Sequence, residues 1–166
     1  MAVGHYLIAL GSNVRHYRYG SPANVVRAAI DALAAEVGIS VECVSPIMSS
    51  APLGPSRRQY ANAVAILCTE LDPPELLTLL KDVERSFGRK KRGLRWGSRV
   101  IDLDIVLWSG GVWVTDGLIV PHKQFRQRAF VLAPALAIAP DWRDPLSGLT
   151  LRQLHARLTR PAPLLR

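Results

Sequence analysis

Asp102 and Asp104 stand two residues apart in the run from Val100 to Trp108, alternating with Ile101, Leu103, Ile105 and Leu107. On a strand this spacing puts both carboxylates on one face and the aliphatic set on the other, where it can join a core. Side by side, two carboxylates repel unless a cation sits between them. Magnesium suits such a pair, because it takes one or two protein carboxylates and completes its shell with water and phosphate oxygens. Just upstream, Arg85, Arg89, Lys90, Lys91, Arg92, Arg95 and Arg99 are interleaved with Gly88, Gly93 and Gly97. Alone, the basic run reads as a solvated loop and the Asp pair as an exposed sheet face. In succession they describe a polyphosphate site, with arginine forks taking the phosphate oxygens that the metal leaves.

The remaining nucleotide signatures are missing. There is no G-x-x-x-x-G-K-[ST] loop and no G-x-G-x-x-G turn after a strand, which excludes a P-loop kinase and a Rossmann enzyme. The formal charge of +8, from 21 Lys and Arg against 13 Asp and Glu, implies an anionic partner or a merely basic, soluble surface. No apolar run is long enough to span a bilayer, and Met1 to His5 has no basic leader character. A cytoplasmic protein with no membrane partner is therefore expected. Cys43 and Cys68 lie in apolar segments and are expected as buried free thiols rather than a disulfide.

The elements that must position the Asp pair follow from periodicity and punctuation. A first strand is expected over His5 to Gly11. Ser21-Pro22 then caps a helix bearing Val25, Val26, Ala29, Ile30, Leu33 and Val37, closed by Gly38. Ile39, Val41 and Cys43 alternate as a second strand, Ser49 to Gln59 reads as a loop, and Tyr60 to Leu71 as a third strand. Asp72, Pro73 and Glu75 open a second helix whose apolar face is Leu76, Leu77, Leu80, Val83 and Phe87, ended by Gly88. The fourth strand is Val100 to Trp108. The order is β-α-β-β-α-β, the ferredoxin-like pattern of an α+β fold. A short strand near Val112, a loop through Pro121, a helix over Phe130 to Ile138 and a last helix capped near Thr150 extend it. One domain spanning 1–166 is expected, with 161–166 as a loose tail.

The stretch from Arg95 to Ile105 (Arg-Trp-Gly-Ser-Arg-Val-Ile-Asp-Leu-Asp-Ile) resembles the signature of the 6-hydroxymethyl-7,8-dihydropterin pyrophosphokinases. Ala9 to Asn13, Pro52 to Pro55, Tyr60 to Ala63 and Val120 to His122, followed by Arg128 and Phe130, are similar to other segments of that family in the same order. The resemblance implies transfer of diphosphate from ATP to the pterin alcohol in folate synthesis, with two magnesium ions on Asp102 and Asp104 and ATP as co-substrate. It implies that Arg89 and Arg99 join the Asp pair in catalysis. Glu84, Ile105, His122, Lys123 and Arg128 would meet ATP beside those two arginines. The pterin would stack between Trp96 and Phe130, with Asn62 on its polar edge and Ser50, Leu53 and Tyr60 completing the pocket. A flat heterocycle gains from two aromatic faces, and its amide-like edge needs buried partners. A monomer acting on small molecules, without nucleic acid, is expected. Ser50-Ala51 departs from the Thr-Pro usual in the family, and Lys123 stands where an aromatic residue is common. Arg15 to Tyr19 have no assigned role.

Residue by residue, blander readings stand beside these. Trp96 has little core to join in a Gly/Arg loop, which favours ligand contact over anchoring. Phe130 reads equally as core, Asn62 as a satisfied strand amide and His122 as a turn residue. As a whole the chain has two rivals. One is a nucleic-acid-binding module, which would carry stacking aromatics on its central strands. The other is a two-metal nucleotidyltransferase or nuclease built on the same Asp pair. Product analysis separates the latter from a diphosphate transfer.

Overall fold

The computed structural model describes residues 3–50, 60–88 and 100–161. Four long strands form the sheet: β1 (Gly4–Ser12), β2 (Ser40–Val44), β4 (Tyr60–Thr69) and β5 (Asp102–Trp108). They run in the order β2-β4-β1-β5, antiparallel throughout, with the short β3 (Met48–Ser50) added against β4. This is the topology expected of the β-α-β-β-α-β pattern, and it places β1 and β4 at the centre.

Two helices cover one sheet face. The first, α1 (Pro22–Ala35), opens on Ser21, whose hydroxyl accepts the Asn24 amide. It ends three residues before Gly38, and Val37, expected on its apolar face, is 95 % exposed. The second, α2 (Pro73–Ser86), has a full capping box. Asp72 accepts the Glu75 amide while the Glu75 carboxylate accepts the Asp72 amide. Phe87 caps its C-terminus and Gly88 follows at φ +88°, a left-handed turn that favours glycine. Val25, Val26, Ala29 and Leu33 of α1 pack with Leu76, Leu80 and Val83 of α2 on Tyr6, Ile8 and Leu10 of β1. Each fully buried aliphatic side chain here contributes about 1.5–3 kcal/mol.

The other face is covered by α3 (Ala129–Ile138) and α4 (Leu151–Thr159), packed on Leu7, Val64, Val106 and Leu107. A second capping box, Thr150 with Gln153, starts α4. Between β5 and α3 lie a hairpin of β6 (Trp113–Thr115) and β7 (Leu118–Val120) and a 3-10 turn over Phe125–Gln127.

Some expectations need correction. Ser49 and Ser50, the start of the expected loop, belong to β3, and β7 occupies part of the expected Pro121 loop. Leu107 does not share a face with Ile101, Leu103 and Ile105. In the β1–β5 ladder Leu7 pairs with Leu107 but Ile8 with Ile105, so Val106 is an extra residue that shifts the alternation. Cys43 and Cys68 are free thiols, as expected, yet half-buried rather than buried. Among the described residues, no helix is long and apolar enough to cross a membrane.

Candidate active site

β1 is the centre of the site. Gly11 pairs with Asn62 of β4 on one side and with Asp102 of β5 on the other. Two residues back, Ala9 pairs with Val64 and with Asp104. Residues paired across antiparallel strands point to the same face, so an amide and two carboxylates rise from one surface with only Gly11 and Ala9 between them. Strands about 4.8 Å apart put the Asn62 and Asp102 backbones roughly 10 Å from one another. A Cβ at Gly11 would lie 3.2 Å from Asn62 Oδ1, tight enough to disturb the amide. Tyr60 shares the face with Asn62 by alternation and pairs with Ser50, while Met48 pairs with Asn62.

The segment after β7 brings cationic groups to the carboxylates. Arg128 Nη1 lies 3.8 Å from Asp104 Oδ2, and His122 Nε2 lies 3.9 Å from the same oxygen. His122 is held at both ends. Its amide donates to the Val106 carbonyl at 3.0 Å, and its Nδ1 accepts the Gln124 amide at 3.1 Å. With Nδ1 used as an acceptor, the neutral ring carries its proton on Nε2, which faces Asp104. Burial pulls the His122 pKa below the usual imidazole value, opposed by Asp104 and assisted by the Arg128 charge. Arg128 also donates from Nη2 to Gln124 Oε1 at 2.5 Å, and its guanidinium lies 5.6 Å from the Phe130 ring centroid. One turn of chain thus joins His122, Gln124, Arg128 and Phe130 to the Asp pair.

Hard oxygen donors on one face, with partly exposed cations around them, suit a magnesium-bound polyphosphate. Comparison with known proteins decides what that polyphosphate belongs to. A family model described as 7,8-dihydro-6-hydroxymethylpterin-pyrophosphokinase matches residues 7–140. The chain belongs to this pyrophosphokinase family. A relative named 2-amino-4-hydroxy-6-hydroxymethyldihydropteridine pyrophosphokinase, from Synechocystis sp., is 38% identical over 148 residues, covering 89% of this chain and 73% of its own. One of the same name from Pseudomonas aeruginosa is 41% identical over 150 residues, covering 90% and 88%. Among solved structures, the crystal structure of Plasmodium falciparum HPPK-DHPS wild type with STZ-DHP is similar with a TM-score of 0.74 over 94% of this chain. At 12% identity that likeness bears on the fold alone, and this chain spans 43% of that longer one.

Against the roles that the family resemblance implies, the structure brings Asp102, Asp104, His122, Arg128, Phe130, Asn62 and Tyr60 to one sheet face and its border. Lys123 is exposed on the same turn. Ser50 enters through its backbone pairing with Tyr60. Ile105 turns its side chain away from that face. Its side chain is 3 % exposed and packs in the α1–α2 core, across the sheet from Asp104, so any contact it makes with a ligand is a backbone contact. Glu84 is also turned inward. Its carboxylate is fully buried, accepting the Leu103 amide at 2.7 Å and the Lys81 ammonium at 2.9 Å. Arg89, Arg99, Trp96 and Leu53 lie outside the described residues.

Two residues of the site, Gln124 and Arg126, and the inward role of Glu84 escaped the sequence reading. Glu84 fixes the backbone of Leu103, the residue between the two aspartates. Gln124 orders both His122 and Arg128. The turn that carries them is tied down by Arg126, which donates from Nε and Nη2 to the buried Asp144 carboxylate at 2.7 and 2.6 Å. A signal for the floor was present: Ala9 and Gly11 are small residues at alternate positions in a strand otherwise filled by Tyr6, Leu7, Ile8 and Leu10.

Proposed function

We infer that this chain transfers a diphosphate group from ATP to the hydroxymethyl oxygen of 6-hydroxymethyl-7,8-dihydropterin, releasing AMP, a step of folate biosynthesis. Family membership supports the reaction. The observation that supports the site is the shared row of Asn62, Gly11 and Asp102, with the amide about two strands from the carboxylate.

In this reading the pterin lies over the Gly11–Ala9 floor. The Asn62 amide meets its polar edge, and Phe130, with Trp96, takes its faces. Tyr60, Leu53 and the Ser50 backbone close the pocket. The triphosphate extends towards Asp102 and Asp104, where His122 and Arg128 already stand, and Arg89, Arg99 and Lys123 add positive charge. Magnesium held by Asp102 and Asp104, as two ions, would neutralise phosphate charge during the transfer. The protein's own share is alignment: the pterin oxygen must approach the β-phosphorus in line with the departing AMP oxygen. His122, with its Nε2 proton facing the phosphate side, is suited to donate a hydrogen bond to a phosphate oxygen. Glu84 serves as a positioning residue through Leu103.

The nucleic-acid reading has less support. At the site the central strands are mostly small or aliphatic, with Tyr60 the aromatic among Ala9, Gly11 and Asn62, and α3 and α4 occupy the rest of that face. We place the enzyme in the cytoplasm as a monomer acting on small molecules.

Product analysis tests the reading. Purified protein with ATP, magnesium and the hydroxymethyl pterin should yield AMP and a pterin diphosphate in equal amounts. Release of pyrophosphate, or ATP consumption that ignores the pterin, would instead favour a nucleotidyltransferase or a simple hydrolase.

A further inference from the structure

The end of the sheet remote from the Asp pair carries a second group of chemistry-bearing side chains. His5 of β1 and Cys68 of β4 are register partners, and Cys68 also pairs with Ser40 of β2. Glu42 sits where the β2–β4 register slips between Val41 and Cys43, the kind of irregularity that re-aims a side chain. One donor atom from each of His5, Glu42 and Cys68 lies within 4.8 Å of the other two. His5 Nε2 is 3.4 Å from Glu42 Oε2. An ion pair joins the histidine to the glutamate, and the Cys68 thiol meets the same carboxylate through a hydrogen bond, so all three donors converge on one point.

We propose that His5, Glu42 and Cys68 form a binding site for a zinc-class divalent cation. The donor set is one imidazole nitrogen, one thiolate and one carboxylate oxygen, a mixture that borderline-soft zinc accepts and hard magnesium does not favour. Metal–nitrogen and metal–oxygen bonds of about 2.0–2.1 Å in a tetrahedron require an N···O edge of about 3.3 Å, close to the His5–Glu42 separation. The side chains of His5 and Glu42 are 46 % and 42 % exposed, so a cation can enter and both ligands can adjust towards the sulfur. Without metal, burial and the Glu42 carboxylate raise the Cys68 thiol pKa, and the incoming cation displaces that proton. Three protein ligands leave a fourth position for water. His5 is six residues along β1 from Gly11, roughly 20 Å of strand, so the ion would staple β1, β4 and the edge strand β2 without touching the transfer chemistry.

Cobalt(II), a spectroscopic stand-in for zinc, tests this on the reduced full chain with magnesium in excess to occupy the Asp pair. The expected result is a thiolate-to-cobalt charge-transfer band in the near ultraviolet, saturating at one equivalent and displaced by zinc. The band should vanish in Cys68→Ser, persist in Cys43→Ser and Asp102→Asn, and need roughly tenfold or more cobalt in His5→Gln and Glu42→Gln. Both of the latter change half-exposed side chains, which keeps the test decisive should Cys68→Ser not fold. No band at millimolar cobalt, a band surviving Cys68→Ser, or one indifferent to both His5→Gln and Glu42→Gln would overturn the site.

Discussion

Asn62 and Asp102 flank Gly11 in one row of the sheet, from β4 and β5 respectively, with no side chain between them. Glycine leaves space here, since a Cβ would meet Asn62 Oδ1 at 3.2 Å and the amide would have to give by a few tenths of an ångström. Gly11→Val should therefore fill the floor and press on the amide. We expect the pterin KM to rise roughly tenfold or more, with a smaller change in the ATP KM, and a stability loss of about 1–3 kcal/mol from overpacking. Steady-state kinetics with each substrate varied, beside a thermal melt, checks this; equal effects on both KM values would remove the pterin from this row.

Asp102→Asn and Asp104→Asn should each cost more turnover than the about 10- to 100-fold typical of losing an outer partner of a metal site. Both side chains are partly exposed, so the melting temperature should move little. Near-normal turnover of either folded variant at saturating magnesium would contradict the metal assignment.

Glu84→Ala removes the acceptor of the Leu103 amide and leaves a buried donor unpaired, at a cost of about 1–3 kcal/mol. Because Leu103 lies between the aspartates, the concentration of magnesium needed for half-maximal rate should rise as well. Glu84→Gln keeps an acceptor oxygen and should recover most of both losses. A variant that lowers stability while leaving the magnesium dependence unchanged would confine Glu84 to packing.

Asp144 gives an acid-side prediction. Burial works to raise its pKa, but hydrogen bonds from Arg126, Ser147 and the Leu146 amide outweigh it and hold the carboxyl below its usual range. The folded pKa is thus depressed. Its stabilisation is present above the unfolded value of about 3.9 and is lost as pH falls through the lower folded value. Asp144→Asn keeps one acceptor oxygen but removes the charge facing Arg126 and one of its two hydrogen bonds; it should destabilise the protein by about 3 kcal/mol at neutral pH and flatten the acid limb of the stability curve. Denaturant melts from neutral to acid pH measure this, and an unchanged acid limb would contradict it.

How much of this was legible in the sequence depended on distance along the chain. The start of α2 was readable because Asp72, Pro73 and Glu75 form a local capping signal. The shared face of Asp102 and Asp104 was readable because strand alternation needs no partner. By contrast, β3 and β7 are three residues each, too short to show a period. The extra Val106 that turns Leu107 to the α3 face exists only in the pairing of β5 with β1. The family resemblance implied that Glu84, at the end of the second helix, lies on the nucleotide side. Its inward turn follows from a backbone amide 19 residues away, which no local pattern encodes. Likewise Arg126 and Asp144 are 18 residues apart, and only the folding of α3 beneath the sheet brings them together.

The central claim is that the bond broken lies between the α- and β-phosphates, with the β- and γ-phosphates moving as one unit to the pterin. ATP labelled separately at the α- and β-phosphorus measures this directly in the presence of magnesium and the hydroxymethyl pterin. The account predicts α-label only in AMP and β-label only in the pterin product. Label from the α-phosphorus in the pterin product, or β-label released as ADP or free pyrophosphate in step with turnover, would contradict it.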